Sequence, residues 1–502
     1  MNKPGIDHHI RFHRSWLIWL TIILFGGIYL AVVISNHFFF RTFCFDYGVY
    51  NNAFFDFAHF RVNSNPVFEP SLDRFCQVHM AFILNILSPL LYWTIGLITG
   101  TYTLLIFEVL IILTGGYFVF LLVKEKTGIF WFSLLALLHY FSLWGHFSAL
   151  PADYIDTTIG ASVVPIFLYY HVRRKFFVTS LLFLFILLTK ENFPLWLIFI
   201  SLTLILLDPK DKMVRKVNII YIVIAVFYFI TIFKFVIPAF EDSDRPYWGF
   251  AYSALGETPS DAFLNIFKHP LRTVKLLFIN QTGNPIYNGI KAEFYFVFLI
   301  SGGIVLFANP RYFLMFIPLI AQKMFNDHYL RWGINSFYSI EIVSILSIGV
   351  FITLSKLKNK KLIIIMAILV CISTLFVTIN KLDHRKSLYY IPIKERFYDL
   401  RLYRSDFDVK KVNAALKMIP SEAKVAASER VVSHLAYRSH IYCFPYVRDA
   451  NYIVLLLNTS TYPLTKEQFE EEKRRYLSDD NWMVIYNEYP LLILNKVGIP
   501  GH

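Results

Sequence analysis

Residues 16–60 run WLIWLTIILFGGIYLAVVISNHFFFRTFCFDYGVYNNAFFDFAHF. The first twenty, Trp16–Ser35, carry no charge, which is the length and composition of a membrane-spanning helix. Beyond them the pattern changes. From residue 45 the apolar positions 49, 53, 54, 57 and 60 recur at helical spacing, the mark of an amphipathic helix. A basic, polar tract, MNKPGIDHHIRFHR, precedes the span, and no small-x-small cleavage site follows it. The expected element is an uncleaved signal anchor leading into an interfacial helix.

Further apolar runs lie near 102–123, 129–147, 157–172, 176–189, 193–207, 217–237, 292–308, 312–325, 335–355 and 361–380. Together they predict an all-α polytopic membrane domain of about eleven transmembrane helices. The composition agrees: 56% hydrophobic and 17% charged, against about 25% charged in a soluble domain. Soluble enzymes, disordered chains and β-barrels are excluded, the last because the runs do not alternate. The net charge of +13 is that of basic cytoplasmic loops rather than of a nucleic-acid surface.

Lys3, Arg11, Arg14, Lys124–Lys126, Arg173–Lys175, Lys210–Lys216, Arg311 and Lys356–Lys361 all fall inside when the N-terminus is cytoplasmic. That orientation requires Met80–Thr99, interrupted by Asn85, Ser88, Pro89 and Gly96, to lie as a second interfacial helix. Past residue 380 charge rises and the pattern becomes α/β. Helices are expected near 407–418, Glu429–Arg438 and Lys466–Leu477. Strands are expected at Lys424–Ala427, His440–Phe444, Tyr452–Leu457 and on both sides of Asn487-Glu488. The chain thus divides into a membrane domain, 1–380, and a small extracytoplasmic α/β domain, 381–502. Its place is the cell membrane, multi-pass, of prokaryotic plasma-membrane type.

Polar residues at the outer ends of spans are costly and become site candidates. In the first outer loop Asp46 is either a helix cap or a catalytic carboxylate, and Asp56 belongs to a solvated face. Glu69, Asp73, Arg74 and His79 follow. The loop ADYIDTTIG at 152–160 supplies Asp153 and Asp156, of which Asp156 is the better cap. Lys190 and Glu191 fill the short turn between two apolar runs, where an ammonium is suited to a phosphate. His328, Tyr329 and Arg331 stand in the last outer turn, and Glu108 and Glu341 inside spans. Cys44 and Cys76 share the first loop; two free thiols are the preferred reading over a disulfide.

These groups gather on one face. With FDYGVYNNAFFDFAH, HMAFILNILSPLLYW, LPADYIDTTIGASVVP, LLTKEN, DHYLRWG and VAASERVVSHLAYRSHIYCFP, they give the chain a resemblance to the GT-C fold of membrane glycosyltransferases that use polyprenyl-phosphate sugars. Within that fold it is most similar to an uncharacterised family of predicted membrane proteins. The resemblance implies an outer-face active site. It implies that Asp46 is the general base or orients the acceptor, and that Asp153 is the acidic residue of the next outer loop and the second catalytic candidate. It also implies that Lys190 and Glu191 are the family's Lys-Glu pair in substrate binding, and that His79 stands against the donor phosphate. Relatives often carry histidine just after the second Asp; Tyr154 and Ile155 stand here, which keeps Asp156 as a competitor to Asp153.

The implied reaction is inverting transfer of a sugar from a polyprenyl-phosphate donor to a glycan, lipid or protein acceptor. A carboxylate takes the acceptor proton and cations steady the leaving phosphate. Membrane lipid is the other partner, and nucleic acid is not one. No cofactor is required; a divalent metal is compatible with the fold, but no ligand spacing calls for one. A transporter or flippase of lipid-linked substrates is the alternative, for which inverted repeats and mid-membrane breaks are expected; the sequence has no repeat.

Overall fold

The computed structural model describes residues 6–67, 75, 80–240, 250–386, 391–457 and 459–498. Glu69 and His79, with Asp73, Arg74 and Cys76, lie outside the described residues. By packing, the chain forms two compact units. One holds Met1–Leu30 and Glu108–Arg396, the other Ala31–Phe107 and Phe397–His502.

The first unit is helical. The apolar runs appear as Thr103–Thr127, Phe130–Ser142, Asp156–Val172, Phe176–Leu187, Phe193–Leu207, Lys212–Thr231, Ile290–Ile300, Phe313–Met324, Ile340–Leu354 and Lys360–Asp383. Their starts follow local chemistry. Asp211 accepts from the Met213 and Val214 amides, and Asn359 from those of Lys361 and Leu362, so each satisfies orphan donors of a first turn. Asp156–Val172 and Ile340–Leu354 are buried almost throughout. Ser344 donates to the Ala161 carbonyl at 2.7 Å and Ser347 to that of Ala136 at 3.1 Å. Such hydroxyl bonds satisfy polar groups between apolar helices. Close approach depends on small residues too: a Cβ at Gly160 would lie 2.0 Å from the Phe193 ring.

Four stretches are long and apolar enough to cross a membrane: Ser15–Phe38, Phe82–Thr127, Lys212–Ala239 and Lys360–Asp383. Among the described residues these four are the clear spans, against the about eleven expected, and Phe176–Leu187, Phe193–Leu207 and Ile340–Leu354 are shorter apolar helices. Ile340–Leu354 has 15 residues, about 22 Å at ~1.5 Å per residue, short of the ~30 Å hydrocarbon core. Hydropathy marks apolar runs, but breaks at Leu143, with extended backbone, and at Gly302, with φ 98°, divide two of them. The run Phe82–Thr127 is itself interrupted by a 3-10 turn at Gly100–Tyr102, where Gly100 has φ 54°, so the Phe82–Leu91 helix is separate from Thr103–Thr127.

The second unit is built on a five-stranded sheet. The strands are β1 (Val425–Ala427), β2 (Ile441–Cys443), β3 (Tyr452–Leu456), β4 (Trp482–Glu488) and β5 (Leu491–Lys496), in the order β2-β1-β3-β5-β4. β1 is parallel to β2 and β3, and β5 is antiparallel to β3 and β4. Helices Val409–Leu416, Glu429–Leu435 and Lys466–Leu477 complete it, close to the predicted boundaries. A capping box at Thr465 and Gln468 starts the last of them. Ile453, Leu455, Phe444, Leu492 and Leu494 form its core.

Helix Val49–Ala58 packs into this unit. Nine of its ten residues are buried, which overturns the expectation of an amphipathic surface helix. Its polar side chains are bonded inward: Asn51 donates to the Ser433 carbonyl, and Asn52 to those of Ala436 and Arg438 at 3.2 and 2.8 Å. Asp56 is buried rather than solvated; Asn63 donates to it at 2.8 Å and Arg61 lies 3.2 Å away. Burial raises its pKa, against the pull of Asn63 and Arg61.

Candidate functional site

The candidate residues of the first unit meet at the start of helix Asp156–Val172. The chain enters from a 3-10 turn at Leu150–Ala152, then passes Asp153, whose backbone sits at φ 64°, ψ −171°. This is a region occupied almost only by glycine, and a side chain there costs of order 1–3 kcal/mol. Such strain is held where surrounding structure fixes it, often at functional sites. Asp153 is also buried. Asp156 is the first residue of the helix, and its Oδ1 accepts the Thr157 amide at 2.9 Å; the capping position falls on Ile155 rather than on Asp156, which differs from the cap expected of Asp156.

Lys190 lies in the turn between Phe176–Leu187 and Phe193–Leu207. Its Nζ donates to the Thr157 hydroxyl at 3.0 Å, stands 3.9 Å from Asp156 Oδ1 and is 5.3 Å from the Phe337 ring centroid. Burial lowers its pKa, but Asp156, Glu191 and Glu341 outweigh burial and the repulsion of Arg331, so the net shift is upward and the ammonium stays charged. Its side chain keeps 21% exposure, against 2% for Asp156. The cation is therefore held by the protein yet open on one side.

Glu108 is wholly buried and faces the Ile155 amide and Thr158 hydroxyl, with Asp153 and Asp156 nearby. Glu341 interacts with Lys190, Lys323 and Asn192. Arg331 sits over the Tyr338 ring at 5.5 Å. Tyr329 stacks on Tyr287 at 3.8 Å, and the His328 amide is bonded to Asn326 Oδ1. So Asp153, Asp156, Glu108, Lys190, Glu191, Glu341 and Arg331 share one electrostatic neighbourhood, whereas the His328 amide bonds within its own turn and Tyr329 packs on Tyr287 of the preceding loop.

Two residues were missed. Lys323 is buried, and its Nζ donates to the carbonyls of Gly333 and Tyr338 and to the Ser339 hydroxyl at 2.8–2.9 Å. Lys291 donates to the carbonyls of Leu276 and Met324 and to Gln281. They brace the turn that carries Arg331. The cost of an ionisable group inside an apolar run, which singled out Glu108, applies equally to Lys323.

In the second unit Asp46 is the third residue of a π turn, Cys44–Gly48, and is partly exposed. The capping positions of this turn and of helix Val49–Ala58 are Phe43 and Gly48, neither with a side-chain cap bond. The position does not favour the cap reading. A Cβ at Gly48 would lie 2.9 Å from Val432, so the turn is seated tightly on helix Glu429–Leu435. Among the described residues no group of three or more His, Cys, Asp or Glu side chains is placed to hold a metal ion.

Apolar helices of spanning length together with a buried-charge cluster define a polytopic membrane protein. Across residues 36–484 the sequence matches the family described as Predicted membrane protein (DUF2079), and the chain belongs to that family. No curated protein matches it. Among solved structures it is similar to the Archaeoglobus fulgidus oligosaccharyltransferase in the apo form, at 12% identity and TM-score 0.44, over 88% of this chain and 66% of that one. It is also similar to the archaeal oligosaccharyltransferase AglB from Archaeoglobus fulgidus in complex with an inhibitory peptide and a dolichol-phosphate. There the identity is 10% and the TM-score 0.40, over 88% of this chain and 70% of that one. The chain thus spans just under two thirds of the first of these. At such scores neither likeness decides the fold.

Proposed function

We propose that the protein is an integral membrane glycosyltransferase that moves a sugar from a polyprenyl-phosphate donor to a glycan, lipid or protein acceptor at the extracytoplasmic face. The observation that carries the reading is Lys190: a charged ammonium, oriented by Thr157 and Asp156, in a turn between two apolar helices. A cation so placed suits a phosphate whose lipid tail remains in the bilayer. Arg331, over Tyr338, adds positive charge in the same neighbourhood. The sequence resemblance to GT-C enzymes supports the same reading.

In the reaction the acceptor heteroatom attacks the anomeric carbon and forms the new glycosidic bond. The bond from that carbon to the phosphate oxygen breaks, and the phosphate leaves with the electron pair. Lys190 steadies the charge that develops on it. A carboxylate takes the acceptor proton; Asp46 is assigned this role, with Asp153 as the second catalytic carboxylate. His79, Glu69, Glu191, Glu108, Asp156, His328 and Tyr329 are assigned to substrate binding, with His79 against the donor phosphate. The test is transfer of a radiolabelled sugar from a polyprenyl-phosphate donor by purified protein in lipid nanodiscs. Movement of the intact lipid-linked sugar between leaflets without transfer identifies a flippase instead and overturns the proposal.

A further inference from the structure

Cys44 and Cys443 are 399 residues apart in sequence, and their sulfur atoms lie 3.5 Å apart. Both side chains are fully buried in the second unit. Cys44 begins the π turn that contains Asp46, and Cys443 ends β2. Their approach is set by contacts other than the sulfurs. Gly48 is packed on Val432, the Asn51 and Asn52 amides bond to carbonyls at 433, 436 and 438, and Arg430 donates to the Arg41 carbonyl at 2.7 Å. The Cys443 thiol also contacts the Phe444 carbonyl at 3.7 Å. Thiols are weak hydrogen-bonding groups, so the pair gains little as it stands. A bond between them needs a shift of only about 1.5 Å, since a disulfide brings its sulfurs to about 2.05 Å.

We propose that Cys44 and Cys443 are a disulfide pair, whose bond ties the turn carrying Asp46 to the C-terminal sheet. The oxidant is a disulfide, either of a small thiol or of a dithiol oxidoreductase. One cysteine thiolate attacks it, its sulfur–sulfur bond breaks, and one thiol leaves. The second cysteine then attacks the mixed disulfide and releases the other thiol. Two electrons pass to the oxidant, and the two cysteine protons end on the two thiols released. Burial, then the neighbouring Cys443, Glu429 and Asp46, raise the Cys44 pKa. The reactive thiolate is scarce once the unit has closed, which places the reaction during folding. Cys76, the partner considered from sequence, competes for the same thiol.

The full-length protein is synthesised cell-free into nanodiscs with oxidised or with reduced glutathione, denatured directly in N-ethylmaleimide and mapped without reduction. With oxidised glutathione the alkylated cysteines are expected to fall from four to two, with a linked peptide containing Cys44 and Cys443. Cys76→Ser leaves that peptide in place, and Cys44→Ser returns Cys443 to the alkylated fraction. Alkylation of both Cys44 and Cys443 in the oxidised sample, or a Cys44–Cys76 peptide, overturns the assignment. The decisive map is of the unaltered chain, so a variant that fails to fold does not blunt it.

Discussion

Lys190 Nζ stands 3.9 Å from Asp156 Oδ1 while bonding the hydroxyl of the next residue, Thr157, at 3.0 Å. The ammonium is thereby docked on the first turn of a buried helix. Exposed ion pairs contribute about 0–1 kcal/mol, and breaking fully buried ones costs about 3–5 kcal/mol. This pair is intermediate in burial, with side-chain exposures of 21% and 2%.

A double-mutant cycle of Lys190→Met and Asp156→Asn is therefore expected to show a coupling of about 1–2 kcal/mol, between those limits. Chemical unfolding of the four proteins measures it. Additivity within about 0.3–0.5 kcal/mol, the level of independent sites, would mean that the contact does not orient Lys190. Transfer should fall with Lys190→Met chiefly through weaker donor binding.

Asp153 occupies a glycine-like backbone conformation. Asp153→Gly should relieve strain of order 1–3 kcal/mol, offset by roughly 0.5–1 kcal/mol of extra unfolded-chain entropy. The variant is expected to melt higher than the parent while losing sugar transfer. Asp153→Ala retains a Cβ and should show no such gain. A glycine variant that melts below the alanine variant counts against stored strain at this position.

The contrast between Asp153 and Asp46 shows what was legible in the sequence. Asp153 stood out because Asp156 was the better cap by sequence; in the structure the capping position falls on Ile155, and Asp156 is the first residue of the helix. The strands and helices of the C-terminal sheet were legible because alternating and helical patterns lie within short windows. The inward face of Val49–Ala58 was not. Its partners Ala436 and Arg438 come from residues more than 380 positions away, and periodicity carries no information on what covers a helix. Helix ends within the apolar runs were not legible for a related reason. Hydropathy is insensitive to a backbone break such as the one at Gly302.

Glu395 provides a pH test outside the apolar helices. Its carboxylate is 2.8 Å from Arg385, yet burial pushes its pKa up to about 7 against the attraction of Arg385 and Lys394. Folded protein then binds more protons than unfolded protein between the ordinary carboxylate value, about 4.3, and about 7. Stability from this group falls as pH rises through that window, and none is lost below it. Glu395→Gln, which cannot titrate, should flatten the decline in melting temperature from pH 4.5 to 7. An unchanged slope in the variant would place the titration elsewhere.

Asp46 can be separated from its structural surroundings by one substitution. Asp46→Asn preserves size and hydrogen-bond acceptance but removes the basic carboxylate. Loss of a positioned general base costs about 10²–10⁴ in rate, whereas a lost helix cap costs about 0.5–2 kcal/mol of stability. Asn also caps nearly as well as Asp, and the residues at the capping positions are Phe43 and Gly48, so little stability should change. The variant is expected to melt within a few degrees of the parent and to transfer sugar at least a hundredfold more slowly. Purified parent and variant are compared for transfer from a polyprenyl-phosphate donor and for thermal unfolding in the same nanodiscs. If Asp46→Asn transfers sugar at the parent rate, another group takes the acceptor proton, and the role assigned to Asp46 passes to Asp153.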